Sequence, residues 1–520
     1  MALVRQQDSN RTESRWSEET SFKVADGAAV WELVEPNSFS DASAKFVKVV
    51  RSPIKFDRQR DKGVLTDLDC SFGFQTDITQ HNSQTLLQGL FRARLRPQTE
   101  VGGAGQLTTV DGANAILAAA GLDVFAVNDL VQLRNGTKIA GNSNRLLTVT
   151  AALATGVTVA ETLVAETLPA NAVLVKVGIQ TEAGDIDVDA SGAFPTLTST
   201  TLDFETDAAL TPGMSIWIGG DAALSFFPTN AVNNCMARIR AIDANVLTLD
   251  KCSKGAMITE VQAGSTIQLF FGRGLKNELG SEIVRPSYQL ERQLNAPDDA
   301  EPTEIQSEYF TGAVYSQGTI NWNQADKVTI DAKFTAADQE VRTGVTGLKA
   351  GTRPAIESGD AQNTTSDLKR IKLARVIAGD EAPTPLVAFI QSATINIDNG
   401  DQPLKALTVL GAFDMSSGDF MVSGNLDAYF ASIDVLTAVR DNLDCTLDMM
   451  VFKQNAGWTV DMPLITLSDA SVTVSKDQPI KIPLVFDAAS GEAIDTALDY
   501  TTYITFFDYL PTLAATPNPV

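Results

Sequence analysis

The chain has 520 residues, 44% hydrophobic and 20% charged, and carries a formal net charge of −24. That length supplies three or four domains with chain enough for a core in each, and the mix excludes a disordered polypeptide. The charge disfavours nucleic-acid binding by phosphate neutralisation, since an acidic chain repels phosphates instead of displacing their counterions. One histidine, His81, leaves almost every position without the usual general base or the commonest metal ligand, which argues against a hydrolase.

Met1 to Thr20 has no apolar segment after its charges, and no later stretch approaches a membrane-spanning run, so neither a secretion signal nor a membrane anchor is expected. Residues 1–29 are polar, with Trp16 and Phe22 as anchors, and read as an N-terminal arm that orders only against a neighbour. Cys70, Cys235, Cys252 and Cys445 lie far apart without paired spacing, which predicts no zinc site and no disulfide framework.

Residues 30–96 read as the first part of a strand-rich unit: a strand over Val50–Asp57, another over Thr66–Phe74, and a helix over Asn82–Leu95 with Leu86, Leu87, Leu90 and Phe91 on one face. The charge cluster Asp57–Gly63 is a solvated turn or a subunit contact. An insertion follows over 97–275, with its own repeat. Leu122–Phe125 and Asn128–Leu133 parallel Leu202–Phe204 and Pro212–Ile218, Asn144–Val149 parallels Asn234–Ile239, and Val157–Val159 parallels Val246–Leu249. Each copy has about five short strands with glycine turns, which predicts two small SH3-like β-barrels. The first unit resumes over 276–341, with Tyr309–Val314 and Val328–Phe334 as strands.

Residues 342–388 are rich in Gly, Thr, Asp and Pro and read as a linker or arm. Its basic stretch Lys369–Arg375 would pair with an acidic face, a nucleic-acid patch being the alternative. Residues 389–490 form a second unit. Thr394–Asp398, Thr446–Met449, Thr459–Met462 and Val472–Val474 alternate at the strand period, around one helix over Ile433–Leu443. Strands, one helix, then strands is the order of the first unit too. Phe389–Asn396 answers Val50–Asp57, Val422–Phe430 answers Thr66–Phe74, and Met462–Leu467 and Ile480–Phe486 answer Tyr309–Val314 and Val328–Phe334. The matching order is read as a tandem duplication, against the alternative of two unrelated strand-rich segments. Residues 491–520 add a C-terminal strand and a proline-rich tail.

The strongest metal candidate, Asp185-Ile186-Asp187-Val188-Asp189, lacks the glycine and final glutamate of a calcium loop and reads as the solvated face of a strand. Gly102–Gly105 has no following helix with Lys-Ser or Lys-Thr, so it is no phosphate cradle. No GxSxG elbow accompanies the single histidine. No catalytic, cofactor-binding or metal residue is therefore assigned, no cofactor is expected, and the chain is not read as an enzyme.

Taken together, Val50–Phe91, Tyr309–Asp338, Ala412–Leu443 and Trp458–Ala489 resemble the tail tube proteins of long-tailed, siphovirus-type bacteriophages, and the phrases Leu202–Phe204 and Leu210–Met214 look like inserts of some of them. The resemblance implies a virion tail protein assembled in the host cytoplasm, mainly β, with two tandem tail-tube-type units of curved sheets and one short helix each. It implies self-association into stacked rings around a hollow, acidic lumen for genome ejection. Members usually carry one unit and form six-fold rings, so two units imply a trimer of pseudo-six-fold symmetry. Implied partners are the chain itself, tail terminator and distal tail proteins, with DNA passing unbound through the lumen and no membrane. The alternative is a secreted or virion-surface adhesin, a carbohydrate-binding β-protein, with a capsid or sheath component as a third option.

Overall fold

A computed structural model describes residues 12–515 apart from 53, 55, 57, 58, 60, 136–141, 143, 144, 208, 262, 263, 295–304, 355–358, 378, 381, 388 and 473. The fold is mainly β, with two α-helices among the described residues. It divides into two compact units: Met1–Ala93, Glu278–Thr364 and Ser392–Asn425 in the first, and Arg94–Asn277, Thr365–Gln391 and Leu426–Val520 in the second.

Outside the insertion the two helices and the strands of five or more residues fall into two series. The first is β1 (Glu13–Ser21), β2 (Pro36–Val49), β3 (Val64–Asp77), α1 (Ser83–Phe91), β4 (Tyr288–Gln293), β5 (Gln306–Asn323), β6 (Thr329–Ala336) and β7 (Asp338–Thr343). The second is β8 (Leu368–Arg375), β9 (Ile390–Asp398), β10 (Met421–Tyr429), α2 (Asp434–Arg440), β11 (Cys445–Lys453), β12 (Ala456–Ala470), β13 (Lys481–Ala489) and β14 (Tyr503–Phe507).

In the first unit, β5 is long enough to serve two sheets. Its first half pairs with β4 and β7, and β1 extends that sheet beyond β4. Its second half pairs with β6 and β9, and the sheet continues through β3 to β2. The strand turns at Gly312, whose φ of 59° is a left-handed value that an L side chain rarely adopts. A β-bulge at Ser316 follows, and bulges bend and twist the strand that carries them.

Alternation decides which face of the second sheet is buried. Leu68, Cys70, Phe72 and Phe74 of β3, and Ile330, Ala332 and Phe334 of β6, are buried, as are Leu86, Leu87 and Leu90 of α1. Phe334 stacks on Tyr315 at 4.5 Å and on Phe74 at 6.0 Å between ring centroids. The start of α1 is fixed by a reciprocal pair: Thr79 N–H donates to Asn82 Oδ1 (2.9 Å) and Asn82 N–H to Thr79 Oγ1 (3.2 Å). The helix ends at Arg92, in the left-handed region at φ 52°, with Ala93 N–H donating to Gln88 C=O.

The second series repeats this connectivity. β8 pairs with β11 as β1 does with β4, β11 with β12 as β4 with β5, and β12 pairs with β13 and β14 as β5 does with β6 and β7. α2 stops as α1 does: Asn442 lies at φ 48° and Leu443 N–H donates to Ala438 C=O.

The insertion lies in the second unit, as two β modules with separate cores. Their strands pair in one open path. From the outside inwards the first module runs Glu166–Thr167, Leu107–Val110, Ala115–Ala118, Gly156–Val159, Leu147–Leu153, Asp129–Arg134 and Val173–Gln180. The second runs Asp187–Asp189, Thr196–Thr198, Val246–Asp250, Met236–Asp243, Ser215–Ile218 and Gln268–Phe270. The two innermost strands pair with each other, Gly178 opposite Phe270. Even the bulges agree, at Val149/Ala151 in one module and Ile239/Ala241 in the other.

Four sequence expectations look different in three dimensions. Glu13–Ser21, expected in a free arm, is a strand laddered to β4 and to Glu32–Val34, with Trp16 buried. The strand before β3 is Pro36–Val49, whereas Val50–Ser52 are irregular, Ile54 and Phe56 are exposed, and 53, 55 and 57 lie outside the described residues. Within the expected linker, Leu368–Arg375 is a sheet strand. Finally, β9 opens the second series but from Ser392 onwards lies in the first unit, on the edge of β5.

Candidate functional site

Two features stand out from the fold: a polar sheet face in the first unit and a buried ionic knot in the second. The polar face is the reverse of the β2–β3–β6–β5–β9 sheet, where alternation places every residue that does not point to the core. It carries Asp67, Asp69, Asp77, Asp331 and Asp398, with Asp41 from β2, against Lys45 and Lys333.

The face is tied together strand by strand. Asp331 accepts from Gln75 Nε2 (3.0 Å) and Asn321 Nδ2 (2.9 Å), and Asn396 accepts from Gln317 Nε2 (2.8 Å) and Thr319 Oγ1 (2.9 Å). Ser71 and Ser43 both donate to Asp41, at 2.7 and 2.8 Å. Lys405 reaches over Asp67 and Asp69, and its hydrogen bond holds the Asp67 carboxyl below the usual range. In the second unit the outward residues of β10 and β13 include Asp427 and Asp487, with Lys481.

The ionic knot centres on Asp461 of β12. It accepts from Tyr500 Oη (2.8 Å), Arg238 Nη1 (3.0 Å) and Lys251 Nζ, while Arg238 also forks onto Asp250 (2.8 and 2.6 Å). Burial alone would raise the Asp461 carboxyl, but Lys251 and Arg238 beside it hold it down to about 2. Arg238 and Lys251 belong to the second inserted module, so the knot ties that module to β12. The basic stretch on β8 is absorbed in the same unit: Arg370 pairs with Asp448 and donates to Ser253 C=O (2.9 Å). Neighbouring Lys372 is pushed down to about 8 by burial first and by the Arg370 charge second.

The other singled-out residues have structural partners. Asp185 is buried and accepts from Ser199, Thr200 and Thr201, which hold its carboxyl low against the effect of burial. Asp189 accepts from Ser191 N–H. Gly102–Gly105 is a turn closed by Gly103 and Gly105 N–H groups on Ala172 and Ala170 C=O. Asp298–Glu301 lies outside the described residues. His81 borders a recess of about 250 Å³ shared with Trp16, Glu32 and Asn82, in which burial raises the Glu32 carboxyl. All four cysteines are buried and stand outside any disulfide, and all five tryptophans are buried. Sequence reasoning missed both the knot and the acidic face. Asp331 and Asp398 stood in alternating runs, but only the register shows that they share a face.

These surfaces and the doubled connectivity define a β-structural protein. The sequence model of a family described as phage tail tube protein matches residues 9–488. The chain belongs to that family and is a structural component of a phage tail. None of the curated proteins compared with it matches.

Proposed function

We propose that this chain assembles into trimeric rings of pseudo-six-fold symmetry that stack into the tail tube, with the acidic sheet faces lining a conduit for genome ejection. The observation that carries this reading is the doubled connectivity: eight elements recur in order, with the same strand pairings and the same bulge. A chain holding two ring units needs three copies where a single-unit chain needs six. Closing the sheets into a barrel removes strand edges that would otherwise aggregate.

An acidic lining repels the phosphate backbone and offers no adhesive sites, so DNA slides through without binding. The insertion is a decoration outside the wall, held to the tube unit by the Asp461 knot. Tail terminator and distal tail proteins would close the two ends, after assembly in the host cytoplasm. Electron microscopy of the purified chain over a concentration series tests the conduit. Hollow tubes or rings are the expected result; monomers at every concentration contradict it.

A further inference from the structure

Inside the chain, the outer edge of β5 is covered by β9, the strand that opens the second series: Gln317 pairs with Asp398, Gly318 with Ile397, Thr319 with Asn396 and Ile320 with Ile395. The stretch of β12 equivalent to Gln317–Ile320 is Asp469–Val472, because the bulges at Ser316 and Ser468 stand at matching places. On that side β12 is laddered by β11 only as far as Ile465, opposite Cys445. Beyond it, among the described residues, no strand occupies the edge, and β12 stops at Ala470 where β5 runs on to Asn323.

The counterpart of β9 in the first series is β2. It is 14 residues long, none of them buried, and among the described residues it is laddered along one edge only, by β3. Phe46 and Val49 on it are 49% and 57% exposed. A long uncovered edge of this kind is a template for another strand, and natural folds rarely leave one open.

We propose that β2 of one copy adds to the Asp469–Val472 edge of a second copy, repeating between chains the joint that β9 makes on β5 within the chain. The joint is head-to-tail: each chain offers one β2 and one open β12 edge, so the contact closes into a ring when the rotation allows. Lys45 and Lys48 on β2 complement Asp469. The proposal rests on the tube reading and names the surfaces through which it would act.

Ser471→Pro and Val472→Pro, made separately, test it. Neighbouring strand residues aim their N–H groups at opposite edges, so one of the two substitutions removes a donor from the open edge. Neither residue lies in a strand of the isolated chain. At least one variant is expected to keep the wild-type melting temperature and lose rings at the concentration where the wild type forms them. Rings from both variants overturn the joint and leave the tube standing, whereas a wild type that never assembles overturns both. If neither variant folds, amide exchange on the wild type decides. Slowed exchange in Pro36–Val49 and Asp469–Val472 upon assembly supports the joint, and unchanged exchange there overturns it.

Discussion

Ser316 and Ser468 hold the same position in the two halves of the chain. Each is the unpaired residue of a bulge, each hydroxyl donates to the carbonyl opposite, Lys333 at 3.1 Å and Val485 at 3.4 Å, and each acceptor is followed by a buried phenylalanine, Phe334 and Phe486. A bulge sets strand curvature, so matching bulges at matching registers give the two halves the same local bend. Replacing either serine by alanine is expected to cost about 1 kcal/mol, the usual net worth of such a hydrogen bond, with similar losses at the two sites in urea unfolding.

Asp461→Asn leaves Lys251 and Arg238 buried without their shared carboxylate. Breaking a buried ion pair costs about 3–5 kcal/mol, and the second unit is expected to lose that much in denaturant titrations near neutral pH.

The same variant carries a pH signature. The carboxyl lies at about 2 against its usual 3.8, so its contribution is complete above about pH 4 and fades as pH falls towards 2. The stability gap between wild type and Asp461→Asn should narrow over that window. Urea midpoints at successive pH values read it directly, and a gap independent of pH contradicts the account.

Gly178 stands where the two inserted modules join, and a Cβ there would sit 2.3 Å from the Leu269 carbonyl oxygen. Backbone cannot step aside as a side-chain tip can. Gly178→Ala is expected to destabilise the joint by about 1–3 kcal/mol, visible as a lowered melting temperature.

On the proposed assembly, lysine at Asp398, Asp427 and Asp487 together should leave ring formation intact and make the conduit lining adhesive. Tubes of this variant are expected to retain duplex DNA at low salt and release it steeply as salt rises, while wild-type tubes retain none.

Much of this was legible in the sequence where the signal is apolar periodicity. Leu86, Leu87 and Leu90 placed α1, and the match of Asn144–Val149 with Asn234–Ile239 found equivalent strands whose bulges coincide. What was missed is buried but polar. β1 is Glu-Ser-Arg-Trp-Ser-Glu-Glu-Thr-Ser, yet Ser14, Arg15, Ser17 and Glu19 are buried because partners satisfy them. Arg15 donates to Trp31 C=O, and Glu19 accepts from Ser287 Oγ and Gly312 N–H. Such a strand shows no apolar alternation and reads as an arm. β8 misled in the same way, since Arg370 and Lys372 are buried in a strand that reads as a basic linker. Conversely, Ile54 and Phe56 look like strand residues and are exposed. The acidic face depends on register between distant strands, which one sequence does not display.

On the proposed assembly, one chain supplies two of six equivalent ring positions. The most direct measurement is the rotational symmetry of end-on rings or tube cross-sections by electron cryomicroscopy, together with the mass per ring. Three chains per ring, three-fold in detail and six-fold in outline at the inner wall, is the predicted result. Six chains per ring would contradict the pseudo-six-fold trimer.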